Sequence, residues 1–379
     1  MDLSCAVRRA IPVGLVAVAI AAAPGLAFQP SVPLPLDGVI DHPHATDLGA
    51  RGHDVAVSLD ATVAGDQVTD LAWSTDGGAT FDDEIVFGKD AARESQAIVC
   101  HDAAVMAFAN HIAADGIWRI ETFHADLSDT IKGDHWWTTT GVSRRPDVAC
   151  VKDTEEVVVW FQKHGSSYEV HLGASKPGDD PHPQEFNLGT GSVSRGLAVA
   201  SSSTRVFVAW FQGNDLRLRR YSIGSAPNYS LHALGTSTIA TLKYGNTPKL
   251  GADSDRLILA YMDRADLKVR RSTDQGVSFG SARTLINEPF PSEAGAAPTT
   301  VGVQGSQIAI GAMEVSETSG RGIGYLSTNG GTSYTKQATH TGGLTVAGLV
   351  KIGSSTKYAE AWDRQFGQSV PELVRYHRQ

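Results

Sequence analysis

Residues 74–81 read STDGGATF, and the chain repeats the phrase as STDQGVSF at 272–279 and STNGGTSY at 327–334. The two intervals are 198 and 55 residues. Four steps of about 50 fill the longer one, which places three degenerate copies near residues 124, 174 and 223. The chain there reads HADLSDTIKGDHW (124–136), ASKPGDDPHPQEF (174–186) and SIGSAPNYSL (222–231), each rich in turn-forming residues.

A second feature keeps the same period. Apolar runs that include an aromatic or small residue read VVVWFQ (157–162), VFVAWFQ (206–212), LILAYMD (257–263), IAIGAME (308–314) and KYAEAWDR (357–364). Within them Trp160, Trp210, Tyr261, Ala312 and Trp362 follow at steps of 50 or 51. Cys100 and Cys150 are 50 apart, and so are Arg145 and Arg195. Short runs rich in Val, Ile and aromatics, separated by polar or Gly-rich turns, read as strands. A repeat of this length built from strands predicts the blades of a β-propeller. Helical stripes of period 3.6 are absent.

The repeated phrase resembles the Asp box, S-x-D-x-G-x-[TS]-[FYW], of the sialidase-like, BNR-repeat β-propellers. Ser74, Asp76, Gly78, Thr80 and Phe81 match it, as do Ser272, Asp274, Gly276, Ser278 and Phe279. The third copy has Asn329 at the Asp position, with Ser327, Gly331, Ser333 and Tyr334 matching. The resemblance implies that each box sits in the hairpin between the third and fourth strands of a blade. Its Ser and Asp side chains would hold backbone N–H groups of the turn, a structural role. The expected fold is all-β, a propeller of seven four-stranded blades, with six as the alternative. The last unit offers only three strands, TVAGLVKI, TKYAEAWD and ELVRYH. FQPSVPLPL (28–36) is expected to supply the fourth, where its prolines suit an outer edge. DHPHATDLGARG (41–52) does not read as a good innermost strand for the first unit.

The first 27 residues read as an export signal. Arg8 and Arg9 precede an apolar run from Ala10 to Ala22, and Gly25-Leu26-Ala27 offers small residues for cleavage. The expectation is a single domain over 28–379, secreted or periplasmic and monomeric. No later run is long enough to span a bilayer. A formal charge of −9 argues against nucleic acid or anionic membranes as partners. Cys100 and Cys150 could pair in an oxidising compartment.

In four-stranded blades the loops leading into the innermost strands, and those joining second to third strands, share the face opposite the boxes. Arg145 and Arg195, with Glu94 and Arg144, precede innermost strands. Asp263, Arg264, Glu314, Asp363 and Arg364 end second strands, with Trp160 and Trp210 beside them. Arg grips carboxylates bidentately. The tryptophans could stack on sugars or pack between blades. These residues are the expected ligand site, a central pocket that binds a glycan or other polar ligand without catalysis. The alternative is a divergent, exo-acting, sialidase-like glycoside hydrolase. For such an enzyme the resemblance implies three arginines on a substrate carboxylate, a Tyr nucleophile with a Glu partner, and an Asp acid/base. The family's Arg-Ile-Pro start is absent, so no catalytic residue is carried over. No HExxH, P-loop, GxGxxG or GxSxG motif occurs. His42 and His44 form an H-x-H pair in a Pro-containing segment, read as a solvated turn. No metal or cofactor is expected.

Overall fold

The computed structural model describes residues 32–34, 40–63, 66–86, 91–100, 102–112, 116–127, 131–137, 141–152, 155–175, 184–225, 230–287, 295–315, 320–341, 345–352, 354–362 and 375–378. Among them the strands form seven four-stranded antiparallel sheets, and one 3-10 turn at Val193–Arg195 is the only helical element. The innermost strands of blades 1 to 7 are Ile40–Arg51, Ala91–Cys100, Ser143–Val151, Leu197–Ser201, Gly245–Asp253, Gly295–Gln304 and Thr345–Ile352. Each touches the next, and Thr345–Ile352 touches Ile40–Arg51, which closes the ring of a β-propeller.

Blade 7 combines both ends of the described chain. Val32–Pro33 pairs with Arg375–Arg378 as the outermost strand. Pro33 is tolerated there because an outer edge needs no further donor. The segment 41–52 does form the innermost strand of blade 1. Its register shifts between Asp41 and His44 and again between Ala45 and Asp47. These bulges absorb Pro43 and break the strand periodicity in the sequence. The side chains of His42 and His44 lie outside the description.

Strands that lie between two blades are apolar on both faces, because neither face meets water. In Glu155–His164, Val157, Val159 and Phe161 join a core shared with blade 4. Val158 and Trp160 join a second core shared with blade 2. Near the axis the innermost strands are close enough that a Cβ at Gly49 would lie 2.5 Å from Ile98 Cα. The same crowding brings Cys100 and Cys150 together, with Cα atoms 5.3 Å apart, and they form a disulfide between blades 2 and 3.

All three repeated phrases occupy hairpins between third and fourth strands, in blades 1, 5 and 6. In the first, Gly78 N donates to Ser74 Oγ at 2.8 Å, Thr80 N to Asp76 Oδ1 at 2.9 Å, and Thr80 Oγ1 to Asp76 Oδ2 at 2.8 Å. The second repeats this pattern with Gly276, Ser278 and Asp274. In the third, one bond reverses: Asn329 Nδ2 donates to Ser333 Oγ at 2.7 Å, so the amide replaces the carboxylate without losing a contact.

Each turn is also gripped by the third strand of the preceding blade. Arg271 of blade 5 donates to Gly330 O at 2.9 Å and Thr332 Oγ1 at 3.0 Å in blade 6. Arg220 of blade 4 runs along Gly276 of blade 5, its Cδ 3.4 Å from where a Cβ would stand. Arg378 of blade 7 donates to Asp76 O at 3.0 Å and to Gly77 O in blade 1. Tyr376 packs on Gly78 so closely that a Cβ there would overlap its ring. Arg378→Ala should therefore cost about 1–2 kcal/mol, the worth of hydrogen bonds from a charged group. An unchanged midpoint in urea unfolding would show that the seam does not depend on this arginine.

Candidate functional site

The face opposite the boxes carries a repeated backbone irregularity. Register shifts between Arg93 and Gln96, Arg144 and Asp147, and Asn246 and Lys249 open the innermost strands of blades 2, 3 and 5. Glu94 (φ 61°), Arg145 (φ 51°), Gly196 (φ 79°) and Thr247 (φ 49°) take up the left-handed conformation there. They stand 51 residues apart in sequence. For a residue with a Cβ this conformation costs roughly 1 kcal/mol, so it persists where surrounding contacts fix it. A bulge of this kind re-aims side chains.

The contacts that fix it run from blade to blade. Asp60 of blade 1 accepts from Glu94 N at 2.6 Å, Ser95 N at 3.2 Å and Ser95 Oγ at 2.6 Å. Glu94 in turn accepts from Arg144 Nη2 at 2.6 Å, Arg144 Nε at 3.2 Å and Arg145 N at 2.7 Å. Arg144 lies over the Trp118 ring, 5.3 Å from its centroid, and Arg93 lies over it at 4.1 Å. His111 packs on Trp118 with ring centroids 4.9 Å apart. The Arg144 guanidinium is raised from its ordinary value, first by its bond to Glu94 and in smaller part by nearby Tyr168. Arg93 Nε is buried and meets no partner among the described residues.

The electrostatics follow from this packing. Loss of solvent, with the Arg144 charge beside it, lowers the Arg93 guanidinium from its ordinary value. Burial works against Glu94 ionising, but the bonds from Arg144 outweigh it and hold Glu94 low. Loss of solvent pushes Asp60 up to about 6 against its hydrogen bonds from Ser95 and Glu94. At the mouth between blades 2 and 3, two arginines thus face one firmly ionised carboxylate and one easily protonated one, and Arg145 adds its backbone N–H.

Below this mouth lies an axial cavity of about 280 Å³, lined by innermost strands of blades 1 to 6. Asp47 accepts from Ala97 N at 3.3 Å, and Asp147 from Val199 N at 2.7 Å, so each clips its blade to the next. Lys249 of blade 5 crosses the axis and donates to Gln96 Oε1 of blade 2. Loss of solvent raises Asp47 to about 6, Lys249 opposing and Asp147 adding to the rise. Asp147 is raised by the same loss, again opposed by Lys249. Among the described residues no group of three or more His, Cys, Asp or Glu is placed to hold a metal ion.

The residues singled out from sequence divide. Arg145 is exposed at the mouth, with its backbone N–H held by Glu94. Trp160 and Trp210 are corrected: at 1% and 2% exposure they are interblade core and offer no ring to a ligand. Arg195 donates its guanidinium to Gly213 O, Leu242 O and Lys243 O, at the segment before the innermost strand of blade 5. Asp263 pairs with Lys268 at 2.8 Å, and buried Glu314 pairs with Arg321, well apart in sequence from the blade 2 cluster. Arg264 is exposed in a tight turn of blade 5. Asp363 and Arg364 lie outside the described residues. Arg93 and Trp118 were not anticipated. The 51-residue step from Arg93 to Arg144 was a usable signal, whereas Trp118 carried none.

The raised carboxylates set a pH dependence. Asp47 and Asp60 bind protons near pH 6 when folded, against an ordinary value of 3.8. The folded state then holds more protons than the unfolded one, so stability rises as pH falls from about 6 toward 4. Asp274, held down to about 2 by Ser278 and Ser272, contributes stability that is lost as pH falls from 3.8 toward that value. The melting temperature should be higher at pH 5 than at pH 7.5, and Asp60→Asn should flatten that rise. A melting temperature that falls between pH 7.5 and 5 would contradict the assignment.

No protein-family model matches the chain, and no curated protein sequence matches it. Solved structures do. An ulvan lyase, from a family of polysaccharide lyases, superposes with a TM-score of 0.57 at 9% identity, covering 91% of this chain and 95% of the lyase. An acylaminoacyl peptidase from Pyrococcus horikoshii superposes with a TM-score of 0.51 at 9% identity, covering 89% of this chain and 52% of the peptidase. The NanB sialidase from Streptococcus pneumoniae reaches a TM-score of 0.44 at 10% identity, covering 92% of this chain and 71% of the sialidase. At these identities the likeness is one of fold: the chain is an all-β propeller.

Proposed function

We propose that the protein binds a glycan carrying carboxylate or sulfate groups at the mouth between blades 2 and 3, as an exported and non-catalytic sialidase-like propeller. One observation carries this reading. Arg93 and Arg144 stack on Trp118, and among the described residues Glu94 is the carboxylate bonded to them, with the Arg145 backbone N–H also on it. A surplus of cations in a chain of formal charge −9 is a local site for an anion. The indole supports both guanidiniums through its ring face. The three box turns support kinship with the sialidase-like propellers, and the sugar-directed activity named for the ulvan lyase fits the same ligand class.

The binding reading is favoured over catalysis because both carboxylates at the mouth are engaged. Asp60 holds the bulge and Glu94 clamps Arg144, which leaves neither to act as acid or base. Tyr168 beside Arg144 is what sustains the alternative, a divergent glycoside hydrolase.

A heparin disaccharide, which bears both carboxylate and sulfate, should bind in calorimetry while neutral lactose does not. Arg93→Gln and Trp118→Ala should each weaken binding about tenfold or more, as expected for a lost charge-assisted contact of roughly 1.5–3 kcal/mol. Equal affinity for lactose, or an Arg93→Gln variant that binds normally, would refute the site. Turnover of a fluorogenic sialoside would replace the binding reading with hydrolysis.

A further inference from the structure

The charge of the chain is unevenly distributed. Residues 197–287, which make blades 4 and 5, hold twelve Lys and Arg against six Asp and no Glu, in a chain whose formal charge is −9. Several of these arginines are spent on turns, as described for Arg220 and Arg271. A group on the mouth face is not. Tyr244 is 51% exposed, and it is the one aromatic among the large apolar side chains exposed in the described residues. Lys243 Nζ lies 5.1 Å from its ring centroid, and the Arg264 guanidinium lies 5.9 Å from it.

This group is held in place. Arg195 donates to Gly213 O at 2.6 Å, to Leu242 O at 3.3 Å and to Lys243 O, which fixes the two residues before Tyr244. Arg264 takes a left-handed φ of 59°, a conformation that aims its side chain from the tip of a tight turn. The group also adjoins the mouth already described. A Cβ built on Gly196 would meet Arg145 Nη1 at 3.7 Å, Thr247 Cα at 3.6 Å and Pro248 Cδ at 3.4 Å. Arg145 of blade 3 and the segment that follows Tyr244 therefore both border Gly196 of blade 4. Cation–aromatic surfaces occur at both ends of this arc, Trp118 with Arg93 and Arg144 at one, Tyr244 with Lys243 and Arg264 at the other.

From this arrangement we infer that Tyr244, Lys243 and Arg264 form a second sugar subsite, and that the ligand is a polyanionic oligosaccharide lying along the arc rather than a single terminal acidic sugar. The inference rests on the proposed mouth site and gives its ligand class. Exposed aromatic rings are commonly without function when they occur singly. Tyr244 differs in being flanked by two cations and braced by Arg195. In this arrangement Arg195 is a positioning residue: it orders the Leu242–Lys243 backbone and touches no ligand.

Two engaged subsites make a linked ligand bind more tightly than either half, because the second contact becomes intramolecular. Calorimetry with heparin-derived disaccharide and hexasaccharide tests this on the full chain. The hexasaccharide should bind at least tenfold more tightly than the disaccharide. Tyr244→Ala should remove most of that gain and leave disaccharide affinity unchanged. Arg195→Ala should also reduce the gain, and its melting temperature reports any loss of folding separately. Equal affinities for the two oligosaccharides, or a full gain retained in Tyr244→Ala, would overturn the second subsite while leaving the mouth intact. Failure of both oligosaccharides to bind would overturn the mouth site and this inference together.

Discussion

The joint between blade 7 and blade 1 is the contact on which the rest of the ring depends. Every other blade is built from one continuous run of chain, whereas blade 7 is assembled from two. Here the join is made by the short pairing of Val32 and Pro33 with Tyr376 and Arg375, and by side chains. Tyr376 fills the space over Gly78, and its ring meets Phe81 edge-on with centroids 4.9 Å apart. Arg378 ties the turn carbonyls of Asp76 and Gly77. A box turn thus does two things: it closes its own hairpin, and it presents carbonyls to the preceding blade. Blades 5 and 7 carry an arginine that bonds them, and in blade 4 Arg220 packs along the turn of blade 5.

Much of this architecture was legible in the sequence, for a physical reason. Second strands are buried by blades on both sides, so they read as continuous apolar runs, and their spacing reveals the period. The turns are held by their own side chains, so their residues lie together in the sequence. The innermost strand of blade 1 was obscured because its two bulges break the alternation that identifies a strand. Trp160 and Trp210 were ambiguous because apolar stacking on a sugar and packing in a core require the same residue. Burial decides between them, and burial is a property of the folded ring.

The functional face was less legible, because its parts come from different positions in different blades. Arg93 lies near the start of an innermost strand, Trp118 near the start of a third strand, and Arg144 belongs to the next blade. Their convergence depends on two bulges and on Glu94, which spans blades 2 and 3. Arg195 shares its repeat position with Arg144, 51 residues earlier, yet the two have different roles. Arg144 pairs with Glu94 of blade 2, whereas Arg195 is held by carbonyls of the segment before blade 5. A repeat fixes where a side chain begins, and its neighbours decide where it ends.

The disulfide has a mechanical consequence. Val32–Pro33 and Arg375–Arg378 lie in one sheet, so tension applied through the two ends of the folded ring loads blade 7 first and peels it. Once that sheet parts, the remaining blades can unravel in turn. The segment between Cys100 and Cys150, with a sequence separation of 50, is held back by a covalent bond. The stretched chain would therefore be shorter than its residue count implies, by the length of one blade's worth of backbone, until the bond is reduced.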